Sequence, residues 1–258
     1  MRGVLRLLLV WLCGASLRVT MLAIAPILPL LVSDFDMSAG QVGLLSVLPL
    51  AMFSLMALPG SALIGRFGPG RAIGFGLSLV LAGTVWRGLA GGVLTLYGSA
   101  ALMGVGIAVM QPAMPVAVGA WMPGREAFGT ALYANGLIVW ELLAVGLTST
   151  WVLPLVGGSW RIASSAWACP VAMVLILLMS VKRSPVGVIA MAPKRTAVDW
   201  SDPALWTLGV LMAGVSSAYF LSNAFMPLYL TEVGSPTLVT PTLIAFNAAQ
   251  LLASLLLL

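Results

Sequence analysis

The chain has 258 residues but no histidine, and only 7% of its residues are charged. Without histidine, these residues offer no imidazole for catalysis, metal binding or a proton relay. About a quarter of the residues in a soluble domain are charged, so an ordinary soluble domain is also excluded. The two cysteines, Cys13 and Cys169, lie inside apolar runs without metal or disulfide spacing, which predicts packing roles. With no nucleophile–base pair and no phosphate-binding loop in the sequence, we predict a protein that is not an enzyme and binds neither metal nor cofactor.

Long apolar runs are what the chain has instead. It is 61% hydrophobic, with a mean hydropathy of +1.10. A helix crosses a bilayer with about 20 apolar residues, and the alternating pattern of barrel strands is absent. We therefore predict an all-α polytopic membrane protein. Its eight predicted spans are residues 5–31, 42–64, 72–90, 94–121, 130–150, 162–181, 204–230 and 237–258.

The basic residues fall between these runs and not on one basic face, so the net charge of +5 indicates membrane topology and not nucleic-acid binding. Most of them lie on the side where the chain begins, and Arg161 is the only loop cation opposite, beside several acids. This bias predicts a cytoplasmic N-terminus and a retained first span. The residues on the N-terminal side are Arg2, Arg6, Arg66, Arg71, Arg125, Lys182, Arg183, Lys194 and Arg195.

The longest connection, residues 182–203, is rich in proline and basic residues and predicts a cytoplasmic linker. It divides an N-terminal six-helix bundle, residues 1–181, from the first two helices of a second bundle, residues 204–258. An internal echo supports this division, because residues 26–34 (PILPLLVSD) resemble residues 224–232 (AFMPLYLTE) at the ends of the first and seventh spans. Parallel six-span repeats are a transporter architecture. Since the sequence stops at the eighth span, we expect a truncated product or a fragment that lacks the remaining spans.

Besides Arg6 at the start of the first span, three charged residues fall within predicted spans. Arg18 lies near the middle of the first, where a guanidinium costs roughly 2.5–3.5 kcal/mol on insertion scales. We predict that it faces a cavity, either to bind an anion or to form a structural ion pair. Glu141, near mid-depth in the fifth span, is a partner for Arg18 or a site of proton uptake. Arg87, close to the end of the third span, is expected to snorkel to the interface.

Polar side chains within the spans supply further candidates. Gln111 precedes Pro112, whose ring frees backbone carbonyls, so we expect it to line a cavity. On the same face, Gly104 and Ala108 predict close helix packing. Asn223 lies on a polar face of the seventh span, where cavity lining and interhelical bonding are equally open.

The segment 61–71, SALIGRFGPGR, resembles the loop between the second and third spans of the major facilitator superfamily. Gly68 matches the turn glycine, and Arg66 and Arg71 match basic positions, while Gly65 stands where the family has an acid. The resemblance implies that this loop contributes to gating.

A second set of motifs resembles the cyanate-permease branch of that superfamily. It includes Arg18 with a Pro-x-x-Pro exit, residues 106–115 (GIAVMQPAMP), 120–141 (AWMPGREAFGTALYANGLIVWE), 153–161 (LPLVGGSWR) and 219–230 (YFLSNAFMPLYL). The resemblance implies a twelve-span secondary transporter of the inner membrane for cyanate, other small organic anions or nitroimidazole-like compounds.

From this we predict alternating-access transport of a small anionic solute, with proton coupling left open. Arg18 would attract the anion, and its candidate neighbours are Gln111, Tyr133, Asn135, Glu141 and Asn223. Two alternatives stay open: an exporter of apolar or cationic compounds with the same fold, and a non-functional membrane fragment.

Overall fold

A computed structural model describes residues 2–180 and 201–256, and these two ranges contain helices and no β-strand. Four spans are single helices: the second is Ala39–Phe67, the third Pro69–Gly88, the fourth Val93–Trp121 and the seventh Pro203–Glu232. The other four consist of consecutive shorter helices. The first is Arg2–Ser16, Val19–Leu22, Ala25–Ile27 and Leu28–Phe35; the fifth is Glu126–Leu147, Thr148–Val152 and Leu153–Leu155; the sixth is Trp160–Ala166 and Ala168–Ser180; the eighth is Pro236–Leu238 and Val239–Leu256.

The helical spans fall where the apolar runs predict them, which confirms the all-α fold. Among the described residues, six helical stretches are long and apolar enough to cross a membrane. The third span, Pro69–Gly88, and the eighth, Val239–Leu256, are helices outside that set of six. Glycines and two arginines dilute the apolar character of the third span. This span packs along the fourth, so its neighbours and not lipid cover much of it.

Local sequence signals fix two turns: the one between the first and second spans and the one between the second and third. The second span begins at a capping box, in which the Ser38 hydroxyl accepts from the Gln41 backbone and the Gln41 side chain accepts from the Ser38 N–H. The span ends at Gly68, whose φ of +81° favours glycine. Pro69 then starts the third span at a position where its missing N–H costs nothing. This positive φ therefore explains why a glycine occupies the turn at residue 68.

Glycines let the first and fifth spans touch backbone to backbone. A Cβ added to Gly14 would meet the carbonyl oxygen of Tyr133, and one added to Gly136 would meet that of Trp11. Between the second and fourth spans, a Cβ on Gly104 would lie 2.7 Å from the Cα of Pro49. Small residues at these crossings are the expected means of close helix packing in a membrane, where apolar burial against lipid gives little driving force.

Contacts at the two ends of the bundle show how the chain alternates in direction. At the end where the chain begins, Arg6 Nη1 donates to the Trp121 carbonyl at 3.5 Å. At the opposite end, Arg161 Nη1 lies 2.9 Å from Asp34 Oδ2, and the Trp160 indole donates to the same oxygen at 3.1 Å. Arg6, Arg66, Arg71 and Arg125 thus lie at one end of the bundle and Arg161 at the other, as the charge pattern predicts.

The seventh and eighth spans pack against the first six through a few elements. The seventh contacts the second half of the first span, where Phe225 and Leu228 pack on a buried cluster that contains Ile27 and Leu31. The echoing segments 26–34 and 224–232 therefore meet each other. The eighth span packs on the fifth, and Ser149 Oγ lies 2.6 Å from Thr240 Oγ1. The predicted linker lies outside the described residues up to residue 200, so its role as a boundary stays a prediction.

Candidate functional site

The helix of the first span is interrupted twice, after Ser16 and after Leu22, and the candidate site lies around these breaks. The helix stops after Ser16, whose hydroxyl bonds back to the Leu12 carbonyl at 3.1 Å, a bond that tends to bend helices. Regular α-helix resumes at Val19 and stops again before Pro26, because proline lacks an N–H and clashes with the preceding turn. In membrane proteins, irregular backbone within a span is tolerated where it is buried in protein or lines a cavity.

Arg18 lies at the first break, and its guanidinium is held from two sides. Its Nη1 lies 3.1 Å from Glu141 Oε2, joining the first span to the fifth. The Glu141 side chain is 1% exposed to solvent, whereas the Arg18 side chain is 27% exposed. The Arg18 guanidinium carbon also lies 5.3 Å from the ring centre of Tyr219 and 5.5 Å from that of Phe220, within cation–π range. The predicted pairing of Arg18 with Glu141 is present, and the seventh span supplies the aromatic partners.

A polar network continues from Tyr219 between the seventh and eighth spans. The Tyr219 hydroxyl donates to Asn247 Oδ1 at 2.7 Å, and Asn247 Nδ2 donates to Asn223 Oδ1 at 2.9 Å. Asn223 Nδ2 in turn donates to the Tyr219 carbonyl at 3.1 Å. Both asparagines are buried. Of the two roles left open for Asn223, the structure shows interhelical bonding, and the next observation adds cavity lining.

A cavity of about 60 Å³ lies where the first, second, third, fourth and seventh spans meet. Its lining is mostly apolar, and its polar members are Ser46, Arg87 and Asn223. The segment after the Arg18 break forms one wall, and Phe220, which packs on Arg18, forms another. A largely apolar cavity with a few convergent polar groups, beside a discontinuous helix, is the usual form of a small-molecule site.

The expected snorkelling of Arg87 is wrong. This side chain is 2% exposed and bridges three spans: its Nε donates to Ser164 Oγ at 2.6 Å and its Nη1 to the Thr20 carbonyl at 2.7 Å. The reason is that the third span is covered by its neighbours at this end, so the guanidinium turns inward. Sequence position suggested an interfacial residue, and only the packing of the first and sixth spans reveals a buried one.

The remaining predicted neighbours of Arg18 are spread over the bundle. Asn135 Oδ1 accepts from the Trp11 indole at 3.0 Å, at the crossing of the first and fifth spans. Tyr133 is half-buried, and its backbone touches Gly14 in the same crossing. Gln111 is exposed and is not among the residues lining the cavity. The structure thus joins Arg18 to Glu141, places Asn223 on the cavity wall, and leaves the roles of the other three as predictions.

The predicted gating loop lies at the end of the bundle where the chain begins. Arg66 and Arg71 are exposed, and the Arg66 guanidinium carbon lies 5.4 Å from the Phe67 ring centre. Gly68 forms the turn between them. Exposure at a helix junction is compatible with gating, which stays a prediction.

Sequence reasoning did not assign two residues, Arg87 and Ser164, to the site. Asn247 was a candidate because it interrupts the eighth apolar run, with interhelical bonding and cavity lining left open, and its bond to Asn223 shows the first of these roles. Ser164 carries no such signal, because a serine in a span is common. Membrane-length helices around a cavity, with a broken helix beside it, define a helical membrane protein of the transporter class.

Comparison with known proteins agrees with that class. Residues 10–258 match the family model described as Major Facilitator Superfamily, and the chain belongs to this family. It is 27% identical to the cyanate transport protein CynX of Escherichia coli over 93% of this chain and 62% of the relative. It is 28% identical to the 2-nitroimidazole transporter of Escherichia coli over 86% of this chain and 56% of that relative.

A solved structure shows the same fold. The bacterial homologue of the human lysosomal transporter Spinster superposes with a TM-score of 0.78 at 19% identity, over 96% of this chain and 59% of that chain. The chain therefore spans about three fifths of the length of each of these three proteins. The family and these relatives are transporters and not enzymes.

Proposed function

We propose that the protein containing this chain is a secondary transporter that carries a small anionic solute, such as cyanate, by alternating access. The observation that carries the proposal is Arg18, an arginine within the first span whose side chain is 27% exposed and packs on Phe220, a residue of the cavity lining. A guanidinium held at a helix break, with part of its surface open, is suited to attract an anion. The cyanate and nitroimidazole transporters among the relatives are consistent with a small solute.

The Arg18–Glu141 pair supplies a mechanism for proton coupling. An incoming anion competes with the Glu141 carboxylate for the guanidinium, and a proton on Glu141 would remove that competition. Binding of the anion and binding of the proton would then favour each other, and this coupling is reciprocal. The solute would be carried together with a proton.

Alternating access would use the contact between the first and seventh spans. Their echoing segments meet, and the cavity lies between the first bundle and the seventh span, so a rocking motion would open it to either side. We place the N-terminus in the cytoplasm of a bacterial inner membrane, because the basic residues gather at that end of the bundle. Gly68, Arg66 and Arg71 would then form a cytoplasmic gate, and residues 182–203 would link the bundles.

Uptake of ¹⁴C-labelled cyanate by proteoliposomes carrying the intact protein tests the proposal. Arg18→Ala should abolish uptake while the protein still inserts, because the anion loses its guanidinium. Arg161→Ala is the matched control, since it removes an exposed cation at the far end of the bundle. Normal uptake by Arg18→Ala would remove that residue from the solute site.

Two further measurements separate the alternatives. Uptake by Glu141→Gln should lose its dependence on pH if Glu141 carries the coupled proton, and full pH dependence would contradict that role. Competition between solutes identifies the substrate class: inhibition by small anions supports the proposal. Inhibition by quaternary ammonium compounds alone would indicate the exporter of cationic compounds.

A further inference from the structure

Arg87 differs from Arg18 in the groups that bind its guanidinium. Its hydrogen bonds go to two neutral oxygens, the Ser164 hydroxyl and the Thr20 carbonyl. The two salt bridges between described residues are those of Arg18 and Arg161, and Arg87 belongs to neither. A buried guanidinium without a carboxylate is costly, and such a residue within a span is by default a functional one.

One nitrogen of the Arg87 guanidinium, Nη2, is left as a spare hydrogen-bond donor. Within residues 2–180 and 201–256, Nη2 of Arg87 is buried and has no hydrogen-bond partner. Nε and Nη1 are fixed by the sixth and first spans, so the group is oriented before any ligand arrives. Arg87 is also part of the cavity lining. A fixed guanidinium with a spare donor at a cavity is an anion-binding arrangement.

The charges at the cavity define the anion. Arg18 is balanced by Glu141, and Arg87 is the one ionisable side chain among the described lining residues. The balance of one positive charge matches a monovalent anion. Because most of the wall is apolar, the anion must give up its water without many replacements, which favours a weakly hydrated anion with delocalised charge over sulfate or phosphate.

We propose that Arg87 binds a small monovalent anion in this cavity through its Nη2 donor, with Asn223 and Ser46 as the further polar groups in reach of the same space. This inference rests on the proposed function and names a second residue of the solute site. In it Ser164 is a positioning residue, because it holds Nε and thereby the plane of the guanidinium.

The test measures binding without transport. The thermal unfolding midpoint of the chain in lipid nanodiscs is recorded with sodium cyanate, sodium chloride or sodium sulfate at matched ionic strength. At ten times its dissociation constant, cyanate should raise the midpoint by about 3–5 °C relative to chloride. Sulfate should give no such rise. The matched control, Arg161→Gln, should behave as the wild type.

Arg87→Met should remove the cyanate-dependent rise. A rise of the same size in folded Arg87→Met would overturn the inference and leave the proposed function standing. Absence of any rise in the wild type would overturn it as well. A rise that depends on Arg87, without cyanate uptake by the intact protein, would keep the inference and contradict the proposed function.

A second variant keeps the test decisive should Arg87→Met not fold. Ala100 lines the cavity from the fourth span, so Ala100→Leu fills the space and leaves all charges in place. We expect the cyanate-dependent rise to disappear here too. A rise that persists in Ala100→Leu would show that the anion binds elsewhere and would overturn the inference.

Discussion

Removing either partner of the Arg18–Glu141 pair should destabilise the protein, but by different amounts. Loss of one partner from a buried ion pair costs about 3–5 kcal/mol when the remaining charge stays buried. Arg18→Met leaves the Glu141 carboxylate, which is 1% exposed, and the carboxylate can limit the loss by taking up a proton. We expect about 3 kcal/mol for this variant, at the lower end of the range.

Glu141→Gln should cost less, because the charge that remains is partly exposed. The Arg18 side chain is 27% exposed and lies against the rings of Tyr219 and Phe220. Each cation–π contact contributes roughly 0.5–1 kcal/mol at sites of partial exposure. The glutamine can still accept a hydrogen bond from Nη1. We therefore expect a loss of about 1 kcal/mol, smaller than for Arg18→Met.

The assay is reversible unfolding by sodium dodecyl sulfate in mixed micelles, which gives the free energy of unfolding of each variant. The double variant Arg18→Met/Glu141→Gln completes the cycle and should lose less than the sum of the single losses, since the pair is coupled. Equal losses for the two single variants, or a larger loss for Glu141→Gln, would refute the asymmetry of burial on which the reasoning depends.

Three further predictions use the same unfolding assay. Gly136→Val should cost at least about 2 kcal/mol, because its Cβ would meet the Trp11 carbonyl; a neutral result would mean that the first and fifth spans are not in backbone contact. Asn247→Leu should cost about 1–3 kcal/mol, since it leaves the polar groups of Tyr219 and Asn223 without their partner; an unchanged stability would contradict that network. Arg161→Gln should cost under about 1 kcal/mol, because its ion pair is exposed, and added salt should reduce the wild type's advantage.

The spans could be predicted because membrane solvation acts on composition. A lipid-facing or buried helix must be apolar over its whole length, so the runs themselves mark the helices. The turn at Gly68 was also accessible, since a glycine before Pro69 at the end of an apolar run marks a helix junction. The two breaks in the first span were only half visible: Pro26 signals the second, but nothing in the sequence places the first at Arg18.

The side-chain partners could not be read from the sequence in the same way. The pairing of Arg18 with Glu141 was one of two roles that the sequence left open for Glu141, because burying either charge alone is costly. Whether Arg87 is buried depends on which helices cover the end of the third span, and the sequence does not show which helices are neighbours. Gln111 is exposed and outside the lining of this cavity, and the sequence alone does not show which neighbour a given helix face will contact.

The two intramembrane arginines have different electrostatic roles in the proposed mechanism. Arg18 has a carboxylate within reach and partial exposure, so its interaction with an anion can be switched by the state of Glu141. Arg87 is fixed by neutral groups and keeps its charge uncompensated at the cavity, so its attraction for an anion is constant. The constant attraction of Arg87 alone would keep the anion bound in the cavity. The attraction of Arg18 alone, which depends on the state of Glu141, would bind the anion weakly. With Arg87 for retention and Arg18 for release, binding and departure of the anion come under separate control, as a transport cycle requires.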